Sequence, residues 1–245
     1  MTEEQRVLEA FLSMPIKSSM RVFEAFISLN RFGTTYSIND SKRGFVYIPG
    51  KRDDRVLLVA HADTVWDREY CVESFRQEIV FEKGFYKGKN DTCGIGADDR
   101  AGCAMLYLMK DSGHSLLITD GEEHGQIGAA YIRESHPLIY DALNNHSYMI
   151  QLDRRNDKDY KTYHISVSME FREFIEASTG YHDAGKNSLT DIVSLCRDIC
   201  GVNLSVGYYH EHHEDECLCY DEWLNTLNVI RKMLKGKQKK FMLKE

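Results

Sequence analysis

Three short and almost uninterrupted apolar runs, residues 56–60, 116–119 and 148–152, constrain this chain more than any other feature. A strand with one face in water alternates apolar and polar residues. A run without alternation belongs to a strand covered on both faces. Residues 99–109, 127–134, 169–177, 188–200 and 220–234 instead repeat their apolar positions at helical spacing. Strands that alternate with helices in this way predict an α/β sheet. Two more helices are expected at 3–12 and 18–29, divided by Pro15, followed by a β-like stretch at 34–48 and a polar turn at 49–54.

The chain has 245 residues, enough for a buried core and within the span of one large α/β domain. One catalytic domain, 1–245, is therefore expected, with N-terminal helices over 1–33 and a C-terminal helix and basic tail over 220–245. Its 31 basic and 38 acidic residues give a net charge of -7, which lacks the cationic excess that favours phosphate backbones. Nucleic acid is not an expected partner. The Lys-rich stretch 232–244 is the exception, and it is expected to be a solvated, frayed end. No apolar stretch is long enough to span a bilayer, and the start, Met1-Thr2-Glu3-Glu4-Gln5, is polar and acidic rather than a signal peptide. Seven cysteines, an odd number, suit reduced thiols better than a disulfide framework. The expectation is a soluble cytoplasmic protein with no membrane partner.

Ligands of open α/β sheets bind outside the carboxyl ends of the strands, and chemically capable side chains collect there. His61 and Asp63 follow the first run, Glu122 and Glu123 the second, and Asp153 the third. On extended chain His61 and Asp63 point to the same side, so Asp63 could hold one imidazole nitrogen while the other binds a metal. In Gly96-Ala97-Asp98-Asp99-Arg100-Ala101-Gly102 the small residues permit a sharp turn, Asp99 suits a helix cap, and Asp98 is left to face the site. A carboxylate shared by two cations would hold them about 3.5 to 4 Å apart. Glu122 and Glu123 are adjacent acids, costly unless a metal or proton neutralises one, and their side chains diverge toward separate roles. His210, His212 and His213 all stand near Glu211, Glu214, Asp215 and Glu216, and spacing alone does not choose among them.

As an ordered set, HAD, GADDRAG, DGEEHG, LD and a late His-x-x-x-Glu resemble the co-catalytic di-zinc exopeptidases, a superfamily that includes leucyl-type aminopeptidases and aminoacylase-like carboxypeptidases. The resemblance covers roughly residues 56–216. It implies a three-layer α/β/α fold with a mixed, mostly parallel central sheet. It also implies two zinc ions, replaceable by cobalt or manganese, one held by His61, Asp98 and Asp153 and the other by Asp98, Glu123 and His212. Glu122 matches the family's general base and Asp63 the carboxylate behind the first histidine. His212 is preferred because Glu216 follows it by four, and the Asp98-Asp99 step is one that often contains a cis peptide in the family.

Aminoacylase-like members insert a lid or dimerisation domain between the fourth and fifth ligands, whereas only 58 residues separate Asp153 from His212 here. The layout is more similar to single-domain aminopeptidases. The expected activity is hydrolysis of short peptides from the amino terminus by a metal-activated water. Alternatives are a carboxypeptidase or N-acyl amino-acid deacylase, in which Arg100, Arg154, Arg155 or Arg172 would bind a substrate carboxylate. A mononuclear glutaminyl-cyclase-like enzyme and an inactive binding module also remain open. The sequence does not specify an oligomeric state.

Overall fold

The computed structural model describes residues 1–39, 41–67, 77–89 and 93–244. Its helices are α1 (Glu3–Leu12), α2 (Met20–Ile27), α3 (Ala97–Leu108), α4 (Ile127–Ser135), α5 (Pro137–Asn144), α6 (Met169–Thr179), α7 (Asp191–Leu195) and α8 (Tyr220–Lys235). The strands are β1 (Thr35–Ser37), β2 (Phe45–Ile48), β3 (Leu57–His61), β4 (Ile79–Glu82), β5 (Phe85–Gly88), β6 (Ser115–Thr119), β7 (Met149–Arg154), β8 (Asp159–Lys161), β9 (His182–Asp183), β10 (Gly201–Ser205), β11 (Tyr208–Tyr209) and β12 (Cys217–Cys219). The main sheet runs β1-β2-β6-β3-β7-β10-β8-β9, and its centre, β6-β3-β7-β10, is parallel.

The unbroken apolar runs have the physical cause expected of them. Leu58 and Ala60 of β3, Leu116 and Ile118 of β6, and Ile150 and Leu152 of β7 join one core layer. The intervening Leu57, Val59, Leu117 and Met149 join the other. A side-chain period of two with both faces buried removes any reason for polar alternation. Helices α1, α2, α3, α6 and α8 cover the first face, and α4, α5 and α7 the second. Each fully buried Leu, Ile or Phe in these layers contributes about 1.5–3 kcal/mol of transfer free energy.

Several features differ from the sequence reading, among them α5 and the strands β8 and β9, which were not expected. The helix expected over 188–200 is confined to α7, five residues long, because Cys196 returns to extended geometry (ψ 119°) and carries the chain back to start β10. β10 itself was not expected. Its Asn203 and Ser205 interrupt an apolar pattern, and both are fully buried because they bond to neighbouring strands. A second sheet, β11-β12-β5-β4, is built on a hairpin whose turn, Lys83-Gly84, has positive φ at both positions, as a type I′ turn requires. Finally, the basic tail is docked rather than frayed. Phe241 packs among Tyr148, Phe171 and Phe174, and residues 241–244 exchange backbone hydrogen bonds with Ser147, Ser166, Asp198 and Cys200. One buried aromatic anchors it while its lysines stay in water. Asp40, within the β-like stretch 34–48, and Cys71 lie outside the described residues. Among the described residues no helix is long and apolar enough to cross a membrane.

Candidate metal centre

His61 is the last residue of β3, and its backbone N–H and side chain are both held from elsewhere in the fold. The N–H donates to Asp99 Oδ2 (3.2 Å). Nδ1 lies 3.1 Å from the carbonyl oxygen of Asp63 and 3.4 Å from its carboxylate. Nε2 meets Asp98 Oδ1 at 3.2 Å and Asp153 Oδ1 at 3.3 Å. The Asp63 carboxylate lies close behind the imidazole and has a second task, since its two oxygens accept the N–H groups of Glu122 and Glu123, each at 3.2 Å. One buried acid thus ties the end of β3 to the loop after β6.

Asp98 stands at the start of α3, where Asp98 and Asp99 depart from helical geometry and the peptide between them is cis. Gly96, in the left-handed region at φ 64°, makes the turn that the small residues of this segment were expected to allow. Gly102 serves differently. A Cβ there would fall 2.0 Å from the carbonyl oxygen of Leu152, so glycine is what lets α3 lie directly on β7. Asp99 caps the helix as expected, accepting from Gly102 N at 2.9 Å, so both of its oxygens take backbone N–H groups. Its carboxyl approaches His61 and Asp153 closely enough to count as a donor, but those backbone bonds make it a support.

The second oxygen of Asp98 lies 3.2 Å from His212 Nε2, which is 3.0 Å from Glu123 Oε1. Asp98 therefore divides its oxygens between two groups, His61 with Asp153 on one side and His212 with Glu123 on the other. His212 itself is left-handed (φ 67°), an uncommon conformation for a residue with a Cβ. Glu216, four residues on, is buried and accepts from Gly96 N (2.7 Å) and Asp98 N (3.0 Å), so it fixes the Asp98 turn. Of the three neighbouring histidines only His212 makes these contacts. His210 pairs instead with exposed Asp215 at 2.6 Å.

The electrostatics of the cluster are lopsided, with acids outnumbering imidazoles. Burial raises the carboxyl of Asp153 to about 6, with Asp98 adding to the effect, and raises Glu122 well above its usual range, with Asp153, Asp191 and Asp98 adding to it. Glu123 is likewise raised by burial and by Asp98, and Glu216 by burial to about 8. Asp98 goes the other way, because His212 and His61 on its two oxygens outweigh its burial. His212 is raised to about 11 by Asp98 and Glu123. Glu123 Oε1 is buried against the His212 imidazole. Crowded buried carboxylates with imidazoles among them are the donor set that divalent metals bind. The residues present fit a bound divalent metal.

The remaining expectations divide. Arg100 is fully buried and donates to the carbonyls of Pro15 and Ser18, so it is no surface for substrate, and Arg172 is occupied by Asp183 and Thr162. Arg154 and Arg155 do line a cleft of about 320 Å³, together with Asp98, Glu122, Glu123, Asp153 and His212. The same cleft contains residues that sequence reasoning missed, namely Lys161, Tyr163, Tyr208 and the loop 187–190. Thr190 and Gln151 donate to Asp153 Oδ2, and Tyr208 reaches Asp153 Oδ1 at 3.4 Å. Asp191, also missed, is buried beside Thr119 and raised to about 7 by its burial. The signal available for it was the acid directly after Thr190 at a helix start, which resembles an ordinary cap.

No protein-family model matches the chain, and no curated protein sequence does. Solved structures do. An aminopeptidase PepT from Bacillus cereus superposes with TM-score 0.66 at 13% identity, covering 95% of this chain and 98% of that one. A tripeptidase from Staphylococcus aureus gives 0.68 at 13% identity, covering 96% and 98%. An aminopeptidase from the archaeon Desulfurococcus kamchatkensis gives 0.66 at 11% identity, covering 97% and 96%. At these identities the shared property is the fold, and it is the mixed α/β architecture expected from the sequence.

Proposed function

We propose that this chain is a zinc-dependent exopeptidase of the co-catalytic di-zinc superfamily, an aminopeptidase that acts on short peptides. The observation that carries the reading is the division of the Asp98 carboxylate between the His61–Asp153 pair and the His212–Glu123 pair. In this reading His61, Asp98 and Asp153 hold one zinc, and Asp98, Glu123 and His212 hold the other. Zinc bound there polarises a carbonyl oxygen and brings the pKa of water down to about 7.

The protein's own groups do the rest. Glu122 lines the cleft beside these ligands and has a carboxyl whose proton affinity is raised by burial, which suits it to take a proton from the attacking water and return it to the leaving amine. Asp63 fixes both His61 and the backbone of Glu122, so base and ligand move as one unit. Glu216 holds the Asp98 turn, and Asn203 clamps Asp153 through its N–H and carbonyl at 3.0 and 2.7 Å. The catalytic domain reads the substrate with its own loops, chiefly 187–190 and 208–212. Cys103, Cys196, Cys200, Cys217 and Cys219 are in no disulfide, which suits a reducing compartment such as the cytoplasm.

The test is a panel of aminoacyl and N-acyl amide substrates, run on zinc-loaded protein with and without a chelator. The expected result is cleavage of aminoacyl substrates, lost on chelation and restored by zinc. A preference for N-acyl substrates would move the assignment to the deacylase branch. No cleavage of any amide by protein carrying two zinc equivalents would overturn it.

A further inference from the structure

We infer that the cleft receives its substrate by a carboxylate seated on Lys161, and that this is the α-carboxylate of a dipeptide. The inference rests on the proposed exopeptidase reading for the reaction, and on Lys161 alone for recognition.

Lys161 is only 8% exposed, and its Nζ donates to the carbonyl of Asn187 (2.6 Å) and to Ser188 Oγ (3.3 Å). An ammonium has three donors, so one remains for the cleft that this residue lines. Both of these acceptors are neutral, and so is the Tyr163 ring, whose centroid lies 5.8 Å from Nζ. The other cations of the cleft are matched: Arg154 grips Asp159 and Arg155 pairs with Glu211 at 2.6 Å. Asp183, the next acid in this region, is taken by Arg172. Lys161 is thus the one cation lining the cleft without an acidic partner among the described residues. Burial and the neighbouring Arg154 and Arg155 disfavour the Lys161 ammonium more than Asp159 and Asp183 favour it, and a carboxylate arriving with the substrate would offset that cost.

Placement favours a short peptide. Lys161 is opposite Asn203 on the neighbouring strand β10, and Asn203 in turn is opposite Gln151 on β7, two residues before Asp153. Two strand spacings put its backbone about 10 Å from β7. An extended dipeptide spans roughly 7 Å, and a lysine side chain reaches across the remainder. The cleft, at about 320 Å³, lies near the small end of ligand sites.

The experiment compares kcat/KM for dialanine and its C-terminal amide, and for a glutamyl and a glutaminyl dipeptide amide, using zinc-loaded wild type, Lys161→Met and Lys161→Arg. The wild type should favour dialanine over its amide by about tenfold or more, mainly through KM. Lys161→Met should bring that ratio to within about threefold of one, and Lys161→Arg should restore part of it. A preference confined to the glutamyl arm would keep the carboxylate site but overturn its assignment to the peptide terminus. Equal rates in both arms, or a preference that survives Lys161→Met, would overturn the inference. Calorimetric binding of dialanine and its amide to zinc-loaded Glu122→Gln protein gives the same comparison without turnover. A failure of the peptidase reading and a failure of this one are therefore separable.

Discussion

Asp98 and Glu122 differ in what the structure gives them to do, and substitutions should separate the two. Asp98 touches both imidazoles, so Asp98→Ala should lose most bound metal and all activity. Glu122 is no part of those contacts, so Glu122→Gln should keep its metal while kcat falls by about 10²–10⁴-fold. Elemental analysis beside an activity assay checks both, and an active Glu122→Gln protein would remove the base assignment. At this scale the candidate site was largely legible, because His61, Asp98, Glu123, Asp153 and His212 follow strand ends or fall into an ordered set of motifs. Lys161, Tyr208 and Asp191 were not legible. Each looks like an ordinary strand or cap residue until the fold brings Tyr208 to Asp153, Asp191 near Glu122 and Lys161 into the same cleft.

Between elements, the contact that positions the centre is that of α3 on β7. Gly102→Ala places a methyl 2.0 Å from the Leu152 carbonyl and within 2.7 Å of both Asp99 oxygens, none of which is free to move alone. Chemical denaturation should show a loss of about 1–3 kcal/mol, and zinc affinity should fall with it, because α3 carries Asp98. A variant as stable as wild type, with unchanged zinc binding, would mean that this packing does not set the site. Glu216→Gln tests the other clamp on the same turn. It leaves one oxygen able to accept from Gly96 or Asp98 but puts an NH₂ donor where the other accepting oxygen was, so zinc affinity should weaken about 10–100-fold while the fold persists. The central strands were readable because burial on both faces leaves an unbroken apolar signature. β10 was not, because Asn203 and Ser205 spend their polar groups on neighbouring strands, and a single sequence does not reveal those partners.

For the whole molecule, a pH dependence follows from a histidine far from the centre. His146 is buried, with Nδ1 donating to the Leu143 carbonyl (2.8 Å) and Nε2 accepting from Ser115 Oγ (2.7 Å), whose oxygen takes the N–H of Gly50. Burial pushes its pKa down from 6.5 to about 4. Between those values the unfolded chain binds a proton that the folded chain refuses, so stability falls as pH drops from 6.5 toward 4 and is fully present above 6.5. The loss reaches about 3 kcal/mol. Denaturation of metal-free wild type and His146→Leu across this range should show the extra slope in the wild type only, and parallel curves would contradict it. The docked tail belongs to the same scale. Its anchors, Phe241 and Gln238, were hidden among lysines that composition alone marks as solvated.

The central claim is two metals sharing Asp98, and the most direct measurement is a crystal structure of the zinc-loaded protein with anomalous scattering at the zinc edge. The account predicts two peaks about 3.5–4 Å apart, one against His61 and Asp153, the other against Glu123 and His212, both within bonding distance of Asp98. A single peak, or two peaks that leave Asp98 unshared, would contradict it.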